Sequence, residues 1–186
     1  MIASSHAIAA DHVIADFEDG YGEWTIAGDA FGAAPARGKI GEQQDVSGFR
    51  GDALVNTFLD EDRSTGTLTS PEFEIKHPFV TFLIGGGNHP DATGIELLVD
   101  GETTHSATGK NQEMLAWHTW DVKALHGKTA RLRIFDRSKE GFGHINVDHI
   151  LATDTPRSGP GVLRLSDYAK TAEYYREKYR PQFHFT

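Results

Sequence analysis

From His12 to Thr153 apolar and polar positions change over at short range. Residues 12–18 alternate and then break at Asp19-Gly20, and residues 53–59 form an apolar segment closed by the charged run 60–63. Residues 67–75 carry Pro71, which has no N–H for a ladder, so this stretch predicts an edge strand or a strand junction. Residues 79–84 are almost continuously apolar, the pattern of a strand covered on both faces. Residues 95–100 run into Asp100-Gly101, a hairpin-turn signal, before the polar segment 103–108. Residues 115–122, 131–136 and 143–150 complete the set; in the second, Leu132 and Ile134 face one side and Arg131 and Arg133 the other. Short strands separated by turn signals, with no βα alternation, predict an all-β antiparallel sandwich or barrel over residues 12–154.

After Thr153 the pattern changes. Pro156, Gly159, Pro160 and Gly161 predict a linker, Ser166 a helix cap, and Tyr168, Ala172, Tyr175 and Tyr179 one face of a helix that Pro181 stops. Residues 155–186 are therefore expected to hold a linker, a helix and the first residues of a further, missing domain. At the other end, Ala7-Ile-Ala-Ala10 has the small-residue character of a signal-peptidase site without a basic or long apolar region before it. Residues 1–11 are accordingly a leader remnant or a frayed terminus.

Composition narrows the function. A chain of 186 residues suits one domain, and 20 glycines are well above the usual ~7%, in keeping with many tight turns. Eighteen basic against 27 acidic residues give a net charge of −9, which argues against nucleic acid or an anionic membrane as partner. The absence of cysteine excludes disulfides, thiolate metal sites and cysteine nucleophiles. There is no Gly-x-Ser-x-Gly elbow, no His-Glu-x-x-His and no phosphate loop. Gly85-Gly86-Gly87 runs into Asn88-His89-Pro90 rather than a helix, so it lacks the helix N-terminus a dinucleotide needs.

Three constellations carry chemistry. Asp16 and Glu18 would meet Asp148 if the first and last strands pair, giving a hard oxygen site suited to calcium; the plainer alternative is solvated strand-face acids. The loop 85–90 either lets a ligand approach its backbone, with Asn88 and His89 as directional partners, or simply connects two strands. Asp136 and Arg137, with Phe142, His144 and Asn146, offer bidentate and apolar contacts to a sugar. His144 and His149 do not share a strand face, which argues against a histidine metal pair. Trp117 and Trp120 face opposite sides of one strand, so at most one serves a ligand, and Trp24 is expected in the core.

Two stretches carry a resemblance. Arg180-Pro-Gln-Phe-His-Phe185 resembles the opening of the catalytic domain of glycoside hydrolase family 32, the levanases, inulinases and invertases, whose nucleophile would lie beyond Thr186. Asp16-Phe-Glu-Asp-Gly20, Val46-Ser-Gly-Phe-Arg-Gly51, Ser64-Thr-Gly-Thr-Leu-Thr-Ser-Pro71, Phe82-Leu-Ile-Gly-Gly-Gly87 and Gly143-His-Ile-Asn-Val-Asp-His-Ile150 are similar to the β-sandwich module that accompanies some of these enzymes. The resemblance implies a galactose-binding-like jelly roll with structural Ca2+ on Asp16, Glu18 and Asp148. It implies a terminal-fructose site at one end of the sandwich, and loop chemistry places this on Asn88, His89, Asp136, Arg137 and His144, with Arg50 as a secondary candidate. The expected role is that of a non-catalytic module, secreted or periplasmic, holding an attached hydrolase on levan or inulin. The rivals are a structural domain that packs on the catalytic propeller through Tyr168, Tyr175, Phe183 and Phe185, and a free-standing glycosidase.

Overall fold

The computed structural model describes residues 10–162, and within them twelve strands form two antiparallel sheets packed face to face. In sheet A, β1 (His12–Ala15), β11 (Ile145–Thr153), β6 (Phe79–Gly86), β9 (Gln112–Asp121) and β12 (Gly159–Pro160) follow in that order, with β3 (Val55–Asn56) also on β11. In sheet B the order is β2 (Thr25–Gly28), β4 (Gly66–Thr69), β10 (Thr129–Asp136), β7 (Thr93–Val99) and β8 (Glu102–Ala107), with β5 (Phe73–Glu74) on β10. A single 3-10 turn, Lys123–Leu125, interrupts the strands.

The pairing has a simple origin. β7 pairs with β8, β6 with β9, β4 with β10 and β1 with β11, so the chain is one long hairpin rolled into two layers. This is a jelly roll. Its tip is the Asp100-Gly101 turn, where both residues take positive φ (53° and 82°), the conformation that the Asp-Gly dipeptide favours.

Alternation along each strand separates two apolar layers. Leu68, Phe82, Ile95, Leu97, Leu132, Ile134 and Val147 fill the space between the sheets. Leu83 and Leu115 point outward from sheet A and meet Phe49 and Leu54, with Val46 and Trp117 against them. The β2–β3 connection thus covers the outer face of sheet A, and the near-continuous apolar run of β6 is covered on both sides as expected. Trp120 lies in the inner core and Trp117 in the outer cluster, on opposite faces of β9.

Several boundaries differ from the sequence reading. β1 stops at Ala15, because Phe17 turns to φ 60° to enter the core. Pro71 does mark a junction: β4 and β5 on either side of it both pair with β10. Strand β2, exposed at all four residues, has no apolar alternation to announce it. Part of the stretch expected as a linker lies on the sheet, Gly159 opposite Trp117 and the Val162 N–H donating to the Gly48 carbonyl. Residues 1–9, the helix expected from Ser166, and the terminal Arg180–Phe185 phrase lie outside the described residues.

Candidate functional site at one end of the sandwich

The ends of β2, β4 and β10 frame an open depression of about 490 Å³, lined by Gly28, Thr65, Thr67, Asp136, Arg137 and Lys139 among others. Asp136 closes β10 opposite Gly66 and Thr93, which carries its neighbour Arg137 out of the sheet at the rim. Arg137 is held in place: its N–H donates to the Ala92 carbonyl (2.7 Å), its Nη1 to the Asp91 carbonyl (3.1 Å), and its guanidinium lies 4.3 Å from the Phe135 ring centroid. Glu96 Oε1 stands 3.6 Å from its Nη2. A planar donor fixed in this way loses little freedom on meeting a diol or carboxylate.

The loops behind the rim interlock. The Asn88 N–H donates to Asn111 Oδ1 (2.7 Å) and His89 Nε2 donates to the Gly141 carbonyl (3.2 Å). The structure places Asn88, His89, Asp136, Arg137 and His144 toward one end of the roll, in differing surroundings. Asn88 and Arg137 are exposed and His89 is half-buried, whereas Asp136 and His144 are buried. Burial raises the Asp136 carboxyl to about 7, against the hydrogen bonds from Thr57 and the Ser138 N–H and the charge of His144, and with the charge of Asp62.

His144 joins three elements. Its Nδ1 donates to Asp62 Oδ1 (2.7 Å) and its Nε2 to Glu113 Oε1 (2.9 Å), while Phe142 stacks on the ring and Phe58 meets it edge-on. Burial works against the charged imidazole, but the bonds and charges of Glu113 and Asp62 outweigh it and the pKa is raised. Glu113 Oε2 in turn accepts from Gln43 Nε2 (3.1 Å) and Asn146 Nδ2 (2.7 Å), and Asn146 Oδ1 finds no partner among the described residues. Both nitrogens of His144 being engaged, it ties loops together and presents no free edge to a ligand. Phe142, expected as a sugar platform, is turned onto this ring.

The triple glycine is likewise occupied by the protein itself. Gly85 and Gly86 belong to β6, and the Gly87 N–H donates to the His144 carbonyl (2.8 Å). A Cβ on Gly87 would collide with the Phe142 carbonyl, and one on Gly86 with that of His144. Close approach is the reason for these glycines, but it is an approach of backbone to backbone.

Arg50 lies apart from the other five, on the outer face of sheet A, its Nη1 3.3 Å from His149 Nε2. Its N–H donates to Asp148 Oδ2 (2.7 Å), and the next turn of chain meets Glu18: the Asp52 N–H reaches both carboxylate oxygens (3.0 and 2.9 Å) and the Ala53 N–H one (3.2 Å). With β1 paired to β11, the Glu18 and Asp148 carboxylates both accept N–H bonds from the one short loop of residues 50–53. Burial raises the Asp148 carboxyl to about 7, opposed by the Arg50 and His149 N–H groups and reinforced by the charges of Glu18 and Asp16. The donors are all hard oxygens, which suits Ca2+. Among the described residues no three acidic or imidazole side chains converge as a metal cage, and the Glu18 and Asp148 oxygens accept backbone N–H bonds.

Sequence reasoning missed Lys139, Thr65 and Thr67 at the depression and Asp62 and Glu113 at the imidazole. The rim residues belong to turns that carry no distinguishing pattern. Glu113 had one faint signal: it shares a strand face with Leu115 and Trp117, where a charge needs a buried partner.

No family model matches the chain. Over 132 residues, 71% of the chain, it is 46% identical to "Putative glycosyl hydrolase ecdE" of Aspergillus rugulosus, and it spans about a fifth (19%) of that protein's length. Among solved structures, the K3 cleaved adhesin domain of Lys-gingipain from Porphyromonas gingivalis is 16% identical, with 76% of this chain and 98% of that one covered and a TM-score of 0.47. CBM51 from Clostridium perfringens GH95, solved with methyl-galactose, is 14% identical, with 77% and 100% covered and a TM-score of 0.41.

Proposed function

We propose that this domain is a non-catalytic carbohydrate-binding module of a glycosyl hydrolase, and that it recognises fructan chain ends of the levan or inulin type. The observation that carries the reading is the open depression of about 490 Å³ at the end of the roll, with Arg137 pre-oriented at its rim and Asp136 at its base. A clamped guanidinium beside two threonine hydroxyls offers both donors and acceptors to vicinal sugar hydroxyls, while the buried Asp136 carboxyl lies beneath them. Asn88 and His89 lie on the loop whose Asp91 and Ala92 carbonyls hold Arg137. The relationship to a protein named as a glycosyl hydrolase supports an attached catalytic domain; a family 32 parent, and export to the periplasm or beyond the cell, follow from the sequence resemblance. Calcium on Glu18, Asp148 and Asp16 belongs to the same proposal as a structural ion joining the first and last strands.

The test is titration calorimetry of the folded domain with levan, inulin and fructose, alongside Arg137→Ala. Dissociation constants of about micromolar to millimolar are expected, weakened at least about tenfold by the substitution, a loss of roughly 1.4 kcal/mol. No heat from any of the three ligands overturns the fructan assignment.

A further inference from the structure

A second concavity lies along the edge of the sandwich, between β1 and the junction of β4 with β5. It encloses about 340 Å³, and its walls include Trp24, Phe73, Asp16, Glu23 and Glu72. That volume falls at the lower end of the range of small-ligand sites. Trp24, expected in the core, packs against the edge of the core and remains half-buried. Phe17 meets its ring edge-on, with centroids 5.5 Å apart, and the Trp24 backbone N–H donates to the Tyr21 carbonyl (3.1 Å). An indole fixed from one side and open on the other is a stacking platform.

The polar groups around it are mostly acceptors. Glu23 is exposed; Glu72 accepts from Arg131 Nη2 (3.1 Å) through Oε1, and its Oε2 is not part of that bond. Carboxylates beside an aromatic face suit a ligand that offers hydroxyl hydrogens and an apolar C–H face together, which describes an uncharged sugar ring. Anionic ligands are disfavoured by three acids in one cleft.

Position adds to the argument. Strand β2 begins one residue after Trp24 and ends at Gly28, which borders the depression described above. Four residues of strand span about 13 Å, so the two concavities lie within the reach of one polymer chain or of its neighbouring branches.

We propose that the edge cleft is a second saccharide subsite, taking a neutral, hydroxyl-rich sugar unit by stacking on Trp24 and hydrogen bonding to Glu23 and Glu72. It rests on the reading of the domain as a saccharide binder and makes that binder bivalent. Linking two weak sites raises affinity for a polymer well above that of either site alone.

Calorimetry with a short inulin oligosaccharide and with the whole polymer tests this on wild type, Arg137→Ala, Glu23→Gln, Trp24→Phe and Trp24→Ala. Glu23→Gln and Trp24→Phe keep the packing and guard against a misfolded Trp24→Ala. Two oligosaccharides per wild-type chain are expected, one after Arg137→Ala and one after Trp24→Ala. Polymer affinity should fall at least about tenfold with either, and indole fluorescence should respond to sugar in Arg137→Ala. One oligosaccharide per chain, abolished by Arg137→Ala and untouched by Glu23→Gln and Trp24→Ala, overturns the second subsite and leaves the first. Absence of binding by wild type to both ligands overturns both readings.

Discussion

Asp136 and His144 show what a residue's surroundings do to its role. Both have raised pKa values, so each favours the folded state in its protonated form. For Asp136 the stabilising contribution is complete below the unfolded value of 3.8 and is lost as pH rises through about 7. For His144 it is complete below 6.5 and is lost above that. The two effects share a sign, and this end of the roll should be firmest under mildly acidic conditions. Asp136→Asn should flatten the fall in unfolding free energy between pH 4 and 7 by an amount bounded at about 4 kcal/mol, the equivalent of the shift from 3.8 to about 7. Urea denaturation at a series of pH values measures it, and an unchanged slope would show that Asp136 titrates as it does in the unfolded chain. Gly87→Ala makes a steric counterpart: the added methyl meets the Phe142 carbonyl, and a loss of about 1–3 kcal/mol is expected in the same assay. The residue types at this end were legible in the sequence, but burial was not. Asp136 and Arg137 are adjacent, yet one is buried beneath the depression and the other stands at its rim, and only the register of β10 against β4 and β7 decides which is which.

Element by element, legibility followed from how strongly local pattern and tertiary environment agree. Strands β6, β7, β9, β10 and β11 announce themselves because their apolar positions are core positions. β2 is held by its ladder to β4 while all four of its residues are exposed, Ile26 included, so no alternation of buried and exposed positions marks it. The β2–β3 connection hides a different feature. It looks like a loop, but its Val46, Phe49 and Leu54 cover Leu83 and Leu115 on the outer face of sheet A. A backbone bond from the Leu115 N–H to the Ser47 carbonyl (2.8 Å) fixes it there. Leu115→Ala should therefore cost about 2–5 kcal/mol and loosen this connection ahead of the inner core. Limited proteolysis and amide exchange read the second effect; protection lost uniformly across both sheets would mean that the outer layer is no separate unit of stability.

On the scale of the whole molecule, the rolled hairpin sets a particular weakness. Its tip at Asp100-Gly101 is closed by a short turn, whereas its open end, β1 on β11, depends on a few ladder bonds with a register shift between Val13 and Ala15. Acidic groups gather at that same end: Asp148 is fully buried, and its charge is opposed by those of Glu18 and Asp16. Amide donors from residues 50–53 compensate part of this charge, and a divalent cation would compensate more while tying the two terminal strands together. A ligand bound only by the folded state stabilises it by about 2.7 kcal/mol at a hundredfold excess over its dissociation constant. For a domain of this size that corresponds to about 5–10 °C in Tm. Chelator should lower the melting temperature by that order, Ca2+ should restore it, and Glu18→Gln should melt at one temperature with or without either. Glu18 suits the test because it is only half-buried and its amide variant still accepts the Asp52 and Ala53 N–H bonds. A wild-type melt indifferent to chelator and to added Ca2+ removes the ion, and the open end of the hairpin then rests on the 50–53 loop alone.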